Sequence, residues 1–449
     1  MRMSRFVVLY RDVAPGEHVL YSVLSDRYIG VDDATLRAIE RWAGQPPRRE
    51  EKETAQVLLE SGFLICSRED DDERLRAHLE KVSDGMPGTM YITLMPTLAC
   101  NLACTYCFQK ESPAFNRMDT AVESATVDWI LSRVAASACR KLMVHFFGGE
   151  PLTRKDYVLR TAEKFSRAMA ARGGEFDWEI TTNGVYLDLP FVTAIRQYGN
   201  GWIKVTLDGD RETHDRGRVY RDGRGTFDII FANLRAVAGH VRIRLGGNFL
   251  PGQEASYERL LARLEEANLL AQLDAIRFKP VVDAQSNSGG SCTGCGTRSQ
   301  ATETLVQINR ALEARIPQTT GNHMRGLPSN PCELHWTNSF TIDPDGAVYK
   351  CPAVAGRPEM AIGNVQVRAA DKPAPLTRYR PWEQCGECAF LPVCMGGCLG
   401  GRYLKTGRTD EVDCHKPEFD AMCREDVTAR YRAELSDRAW ETAGAGSAR

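Results

Sequence analysis

Three cysteines lie close together on one short segment in the first third of the chain. Cys100, Cys104 and Cys107 have the spacing C-x3-C-x2-C. Three thiolates on one loop can bind three irons of a four-iron cluster, which leaves the fourth iron open to a cofactor or a substrate. A zinc loop with a distant fourth ligand is the alternative, and the trio by itself leaves both metals open.

A second group of cysteines follows residue 330. Eight cysteines lie there, and seven of them form one pattern: Cys332, Cys351, Cys385, Cys388, Cys394, Cys398 and Cys414. Four of them have the spacing C-x2-C-x5-C-x3-C, for which a zinc ribbon is again the alternative interpretation. The segment FTIDPDGAVYKC, which ends at Cys351, predicts a β-hairpin with Gly346 in its turn.

The chain has 449 residues, 15 cysteines and a formal net charge of −2. This charge gives no reason to expect a nucleic-acid or anionic-membrane partner, and no apolar run is long enough to span a membrane. The first residues lead directly into a strand-like FVVLY, which is unlike a signal peptide. We therefore expect a cytoplasmic protein, in which cysteines serve as metal ligands, reactive thiols or buried side chains.

The elements that would position the first trio alternate between strands and helices. Six strand patterns, MYITLM, KLMVHFF, FDWEIT, WIKVTL, VRIRLGGNFL and AIRFKPVV, are separated by helical patterns. One of these helices is predicted to begin with a capping box of Thr120 and Glu123. Alternation of this kind predicts a parallel sheet with outer helices, and six units predict an open partial (β/α)6 TIM-like barrel.

Residues with functional potential follow the first four strands in turn. The cysteine trio follows the first strand, FGGEP the second, TTNG the third and LDG the fourth. In parallel barrels the functional residues gather at the carboxyl ends of the strands. The four segments are therefore predicted to line one mouth.

The C-x3-C-x2-C trio, with Tyr106 before its third cysteine and GGEP after the next strand, resembles the radical S-adenosylmethionine superfamily. The resemblance implies that Cys100, Cys104 and Cys107 bind the catalytic four-iron cluster. Its open iron would chelate S-adenosylmethionine, whose cleavage gives a 5′-deoxyadenosyl radical. The further cofactor-binding residues that the resemblance implies are Tyr106, Gly148, Gly149, Glu150, Pro151, Thr182, Asn183, Asp208 and Arg218. For Arg218, a surface loop position is the alternative.

The C-terminal cysteines resemble the SPASM extension of these enzymes, which holds two auxiliary four-iron clusters. The resemblance implies one complete site, formed by Cys385, Cys388, Cys394 and Cys414. It implies a three-cysteine site as well, formed by Cys332, Cys351 and Cys398. Some relatives have a further cysteine where this chain has Asn338. The fourth ligand is left open among Cys423, Cys292, Cys295, a non-protein donor and the substrate, while Cys66 and Cys139 are interpreted as buried structural residues.

The resemblance implies four regions. Residues 1–80 form a winged-helix-like domain that recognises a precursor peptide, residues 86–315 the radical core, residues 316–430 the SPASM extension, and residues 431–449 a tail. The implied function is a maturase that takes hydrogen from a ribosomally made precursor peptide and installs a thioether or another crosslink. A flavodoxin or ferredoxin would supply electrons.

Two alternatives remain at this stage. A sulfatase maturase, which forms formylglycine, would have the same architecture, but its proposed basic aspartate after the cysteine equivalent to Cys351 is here Pro352. An iron-sulfur redox sensor that binds DNA through the N-terminal region would need a basic recognition helix. The first helical pattern, ATLRAIERWAG, contains only scattered arginines.

Overall fold

A computed structural model describes residues 1–109, 117–281, 298–315, 332–367, 372–378 and 380–446. The N-terminal region contains two small sheets and three helices. Its strands are β1 (Arg2–Met3), β2 (Val7–Ala14), β3 (Glu17–Ser22), β4 (Arg27–Asp32) and β5 (Leu64–Ile65). Its helices are α1 (Asp33–Trp42), α2 (Lys52–Glu60) and α3 (Arg68–Ser83). The strands β2, β3 and β4 form an antiparallel sheet, and β1 pairs with β5.

The prediction that Cys66 is buried in a strand is wrong. The thiol is exposed, because β5 ends at Ile65. The chain then turns into α3, where the Cys66 N–H donates to Asp70 Oδ2 at 2.9 Å. This contact belongs to the cap of the next helix, so the short strand leaves no core position for Cys66.

The central region contains all six predicted strands. They are β6 (Thr89–Leu94), β7 (Lys141–Phe146), β8 (Glu175–Thr182), β9 (Asn200–Thr206), β10 (Arg242–Phe249) and β11 (Leu273–Pro280). The helices of this region are α4 (Thr120–Ala136), α5 (Lys155–Ala171), α6 (Leu189–Ile195), α7 (Arg211–Gly217), α8 (Phe227–Val237), α9 (Glu254–Glu266) and α10 (Arg298–Glu313). Neighbouring strands are parallel and lie side by side in chain order.

The start of α4 differs from the predicted capping box. Asp119 is the N-cap, and its side chain accepts a hydrogen bond from the Val122 N–H at 2.8 Å. Thr120 is already the first helical residue. Aspartate and threonine are both good caps, and the carboxylate one residue earlier takes this position.

The two faces of the parallel sheet differ in polarity. Leu142, Val144 and Phe146 of β7 are buried in the main core, and the corresponding residues of the other strands pack there too. Between them stand polar side chains such as His145 and Glu179. A parallel sheet covered on both faces usually has near-continuous apolar strands. The alternation in this sheet gives it one helix-covered face and one polar face.

The C-terminal region extends the same sheet. Its strands are β12 (Ser339–Ile342), β13 (Ala347–Tyr349) and β14 (Gly363–Asn364), and its helices are α11 (Pro375–Arg378), α12 (Leu391–Cys394), α13 (Leu399–Thr406) and α14 (Lys416–Gly446). The strand β12 pairs in parallel with β6, so nine of the described strands form one open sheet whose edge strands are β11 and β14. The predicted hairpin is present as β12 and β13, with Gly346 at φ +75°.

The long helix α14 returns to the N-terminal sheet and continues through position 431, where the tail was predicted to begin. Tyr431 is buried, and its hydroxyl donates to Glu17 Oε2 at 2.7 Å. Close contact with Gly30 of β4 fixes its ring on the sheet. Among the described helices, none combines the length and the apolar character needed to cross a membrane.

Candidate active site

The first cysteine trio lies on the loop after β6. Two backbone hydrogen bonds fix this loop. The Ala103 N–H donates to the carbonyl of Val219, just beyond α7, at 2.8 Å, and the Thr105 N–H donates to the carbonyl of Gly217, the last residue of α7, at 3.0 Å. Burial, together with the nearby Glu150 carboxylate and the thiols of Cys104 and Cys107, raises the pKa of Cys100 to about 12. Burial also raises the pKa of Cys104. A bound metal would favour the thiolate forms that these buried thiols otherwise resist.

The chemistry of the three thiols fits a four-iron cluster. In such a cluster each thiolate binds a different iron, so three thiols on one loop supply ligands to three of the four irons.

The GGEP segment lies directly against the loop that carries the trio. A Cβ atom on Gly148, which has φ +119°, would lie 2.3 Å from the Thr97 carbonyl oxygen. A Cβ atom on Gly149 would lie 2.2 Å from the Ala99 carbonyl oxygen. Only glycine permits so close an approach of the two backbones, so the packing of these segments explains why both positions are glycine. The next residue in the chain is Glu150, followed by Pro151 at the first position of a short helical turn.

Glu150 connects the GGEP segment to the TTNG segment after β8. Its buried carboxylate accepts hydrogen bonds from the Thr182 hydroxyl (2.7 Å), the Asn183 N–H (2.7 Å) and the Leu152 N–H (2.9 Å). Burial raises the pKa of Glu150, and these donors oppose that shift. Three donors on one buried carboxylate hold two of the predicted segments together.

Asn183 connects the same segments to the cysteine loop. Its Nδ2 atom donates to Asn101 Oδ1 at 2.8 Å and lies 3.8 Å from Cys100 Sγ. The structure therefore brings Asn183 to the trio. Asn101 was not among the predicted site residues, although its position directly after the first cysteine was a signal that could have identified it.

Tyr106, Asp208 and Arg218 form a hydrogen-bonded group on the other side of the trio. The Tyr106 hydroxyl donates to Asp208, and Arg218 Nη1 donates to the Tyr106 oxygen at 2.8 Å. Arg218 is buried, so the alternative of a surface arginine is wrong. The Asn248 N–H donates to Asp208 at 2.7 Å. Sequence reasoning missed Asn248, although it lies near the carboxyl end of β10, where site residues were expected.

Two buried nitrogen donors at this site lack a partner. Among the described residues, Asn101 Nδ2 and Arg218 Nε have no hydrogen-bond acceptor. Buried donors of this kind are rare in proteins unless a ligand, ion or water completes them. A polar cofactor with carboxylate and hydroxyl groups fits these donors.

The structure brings the C-terminal cysteines together in two separate groups. The pKa of the Cys351 thiol is raised by burial and by the neighbouring thiols of Cys332 and Cys398. The Cys351 thiol also lies beside Gly400, where an added Cβ atom would be 2.7 Å from Cys351 Sγ. This is the predicted three-cysteine group.

The second group contains the four other cysteines. Burial raises the pKa of Cys385, as do the nearby thiols of Cys388 and Cys414. Burial, together with the nearby thiols of Cys385 and Cys388, raises the pKa of Cys394 to about 12. Cys385 is thus close to the other three predicted members of this group.

The candidates for the missing fourth ligand differ in their surroundings. Cys423 is fully buried in an apolar cluster with Tyr10 and Tyr21, where α14 covers the N-terminal sheet. Partly buried Cys388 and Cys394 pack against that cluster, so Cys423 lies on the side of the four-cysteine group. Cys292 and Cys295 lie outside the described residues.

Between the first trio and the three-cysteine group lies the polar face of the sheet. Glu179 of β8 accepts a hydrogen bond from the Tyr91 hydroxyl at 2.6 Å, and His145 Nδ1 lies 3.1 Å from its carboxylate. Burial raises the pKa of Glu179 to about 7 and lowers that of His145 to about 3. Trp336, close to Cys332 in the chain, stacks edge-on against Tyr91. This polar face, which we call the chamber face, extends from one cysteine group toward the other.

Comparison with known proteins identifies the central region. The model of the radical SAM superfamily matches residues 94–264. A serine-type anaerobic sulfatase-maturating enzyme of Bacteroides thetaiotaomicron is 24% identical over 362 residues, which is 71% of this chain and 84% of the relative. A PqqA peptide cyclase of Gluconobacter oxydans is 26% identical over 347 residues, which is 73% of this chain and 90% of the relative.

Two solved structures have similar folds. Native anSMEcpe with bound AdoMet and the Cp18Cys peptide aligns with a TM-score of 0.60 at 17% identity, and it covers 78% of this chain and 99% of its own. Streptococcus suis SuiB bound to the precursor peptide SuiA aligns with a TM-score of 0.53 at 13% identity. That match covers 92% of this chain and 99% of SuiB.

Proposed function

We propose that this chain, which contains a radical S-adenosylmethionine domain and is similar in sequence to peptide and sulfatase maturases, is a maturase that crosslinks a ribosomally made precursor peptide. The observation that carries the proposal is the chamber face, with a cysteine trio at one side and a second group of three thiols at the other. A substrate residue in this chamber would lie between two iron centres.

Radical SAM domains bind a four-iron cluster and S-adenosylmethionine. In this chain Cys100, Cys104 and Cys107 would hold the cluster, and the unpartnered donors Asn101 Nδ2 and Arg218 Nε would face the cofactor. When bound, the two groups supply a 5′-deoxyadenosyl radical that takes a hydrogen atom from the substrate. The protein's own contribution is to orient the cofactor, through the network of Glu150 and that of Tyr106.

The two C-terminal groups would hold auxiliary clusters of the SPASM type. Cys385, Cys388, Cys394 and Cys414 supply a complete set of four thiolates. Cys332, Cys351 and Cys398 would supply three thiolates, so one iron of this cluster would need a fourth ligand from elsewhere. The chamber residues would hold the substrate beside this iron, which can accept the electron that a crosslink must lose. A flavodoxin or ferredoxin would reduce the first cluster.

The N-terminal region would recognise the leader of the precursor. Within the described residues β4 pairs on one side only, with β3, so its other edge can accept a further strand. A groove of about 520 Å³ runs beside this edge, between Gly30 and Asp32 of β4 and Val57 of α2. The fold match to SuiB with its precursor peptide covers 92% of the chain, against 78% for anSMEcpe, which favours a peptide-binding N-terminal region.

This proposal divides the chain as the sequence predicted. Residues 1–80 would be a winged-helix-like recognition domain, residues 86–315 a partial-barrel radical core, residues 316–430 the SPASM extension, and residues 431–449 would follow it. The open, sequential sheet of six parallel strands supports the partial barrel, and the two separate cysteine groups support the extension.

Sulfatase maturation is the second candidate, because a serine-type sulfatase-maturating enzyme aligns over 71% of this chain. Against it, Cys351 is followed by Pro352, which starts a short helical turn and cannot accept a proton. We therefore rank the peptide crosslinking maturase first.

Anaerobic co-expression tests the proposal. The chain is produced with the short reading frame next to its gene, and the peptide is examined by mass spectrometry. A loss of about two hydrogens per crosslink, abolished by Cys104→Ala, supports the maturase. Conversion of a sulfatase cysteine or serine to formylglycine, with no change in the peptide, would establish the second candidate instead.

A further inference from the structure

Three cationic side chains lie on the chamber face of β9 and β11, the two strands on either side of β10. Lys204 of β9 and Arg277 and Lys279 of β11 alternate with apolar residues that are buried in the main core, such as Val205 and Phe278. Successive side chains of a strand point to opposite faces. The three cations therefore face the chamber.

A glycine on the intervening strand allows Lys204 to reach across the sheet. A Cβ atom on Gly246 of β10 would lie 2.6 Å from Lys204 Cε, so the lysine stem passes directly over Gly246. Gly246 is in register with Arg277 of β11. The side chain of Arg244, which is in register with Lys204, stacks on Trp202 at 3.9 Å and pairs with Asp274. Lys204 thus extends toward the β11 cations, while Arg244 binds elsewhere.

The cations repel one another in this arrangement. Burial, together with the positive charges of Lys279 and Arg277, lowers the pKa of Lys204 to about 8. Lys279 is accessible to solvent, yet burial and Arg277 lower its pKa, as expected on the wall of a concave chamber. Among the described residues, neither Lys204 nor Lys279 forms an ion pair with a carboxylate, although Glu179 attracts Lys204 from a greater distance. An anion would relieve this repulsion.

The cationic group lies between the two cysteine sites. Lys279 interacts electrostatically with Asp208, beside the first trio, and with Cys398 of the three-cysteine group. In register, Lys279 stands opposite Asn248, which donates to Asp208. An anion bound here would be held between the two proposed iron centres.

We propose that Lys204 and Lys279 bind a carboxylate of the peptide substrate, next to the residue that is modified. This inference rests on the proposed function and names a chemical feature of its substrate. The carboxylate belongs to an aspartate or glutamate side chain or to the peptide C-terminus, since each presents the same group to two ammonium ions.

The test uses the cluster-loaded chain and the precursor encoded beside its gene, labelled with a fluorophore. The precursor is prepared with each Asp or Glu of its modified segment changed to Asn or Gln, and separately with an amidated C-terminus. Binding and crosslinking are measured for the natural chain, for Lys204→Met and Lys279→Met, for the conservative Lys279→Arg, and for the exposed control Lys164→Met. Affinity for S-adenosylmethionine, iron content and the cluster electron paramagnetic resonance spectrum are recorded for every variant.

We expect either methionine variant to weaken peptide binding about tenfold or more, with Lys279→Arg restoring most of the affinity. One acid-to-amide peptide, or the amidated peptide, should show the same loss with the natural chain and no further loss with Lys279→Met. The altered peptide that behaves in this way identifies the source of the carboxylate. The control Lys164→Met should bind and crosslink the precursor as the natural chain does.

Other outcomes overturn the inference. If Lys279→Met weakens the binding of every peptide equally, or changes only cofactor affinity or the cluster spectrum, the cations serve the cofactor or the clusters. If no carboxylate-deleted peptide binds more weakly to the natural chain, the site does not recognise a peptide carboxylate. A natural chain that neither binds nor modifies the unaltered precursor contradicts the proposed function itself, which separates the two failures.

Discussion

Gly400 and Cys351 are in direct contact at the proposed open cluster site, where a Cβ atom on Gly400 would lie only 2.7 Å from Cys351 Sγ. Gly400 is in the first turn of α13, and Cys398 is the N-cap of that helix. The start of α13 therefore carries Cys398, and the missing side chain of Gly400 leaves space for the thiol of Cys351. A side chain at position 400 would compete with the thiol for this space.

Gly400→Ala should selectively impair the three-cysteine cluster. The added methyl group must displace Cys351 or the start of α13, so we expect iron to fall from about twelve to about eight atoms per chain. Iron and sulfide analysis of anaerobically purified protein measures this change. Gly44→Ala is the control, because no atom lies within 4 Å of a Cβ built there. A full iron content in Gly400→Ala would argue that Cys351 is not a cluster ligand.

Glu150→Gln should loosen the connection between two segments of the first site. The amide has one acceptor oxygen, so its NH2 group would face a donor, either the Asn183 N–H or the Thr182 and Leu152 donors. We expect a loss of about 1–3 kcal/mol in the free energy of unfolding, and weaker binding of S-adenosylmethionine. Denaturant titration and calorimetry measure the two effects.

The matched control for this change is Glu266→Gln, which alters an exposed carboxylate at the end of α9. It should leave both quantities unchanged. If Glu150→Gln behaves like this control, the three hydrogen bonds do not organise the site.

Much of this architecture was accessible from the sequence because its signals are local. Six alternating strand patterns predicted the parallel strands. The hairpin turn at Gly346 was predicted from the single segment FTIDPDGAVYKC. Both features depend on periodicity or residue types within one segment, whereas the grouping of the C-terminal thiols was implied by the resemblance to the SPASM extension.

The features that were missed depend on contacts between distant segments. The hydrogen bonds of the Glu150 carboxylate to donors 32 and 33 residues away were not predicted. The contact of Gly148 with the Thr97 backbone was not predicted either. Cys66 was placed in a core because the length of a strand cannot be determined from a short apolar run. The surroundings of Glu150, Gly148 and Cys66 all depend on which segments lie next to them in the folded chain.

Cys423→Ser should separate structural burial from cluster binding. The thiol is fully buried among aromatic residues, including Tyr10 and Tyr21, so a hydroxyl there should lower stability by about 1–3 kcal/mol. Iron should stay near about twelve atoms per chain, because Cys423 would not be a ligand. Thermal unfolding and iron analysis give the two values.

Cys66→Ser is the control for the same chemical change at an exposed thiol, and it should alter neither stability nor iron content. A loss of about four irons in Cys423→Ser would instead identify the missing fourth ligand.

Glu179 should make the stability of the chain depend on pH. Its carboxylate is buried on the chamber face, where desolvation raises its pKa from 4.5 in the unfolded chain to about 7. The raised pKa means that the folded state favours the protonated form. The contribution of Glu179 is therefore fully present below pH 4.5 and is lost as the pH rises through about 7.

Glu179→Gln should remove this dependence, because the amide keeps a similar shape and does not titrate. The difference in free energy of unfolding between the variant and the natural chain should shift in favour of the variant between pH 5 and 8, by an amount on the order of 1 kcal/mol or more. Burial lowers the pKa of neighbouring His145 from 6.5 to about 3, so its ring also makes stability rise with pH, but this effect is present in both chains and cancels in the difference. Denaturant titrations at the two pH values measure the shift, with the exposed Glu80→Gln as the control. A difference that stays constant with pH would mean that Glu179 is already ionised in the folded chain, paired closely enough with Lys204 to offset its burial.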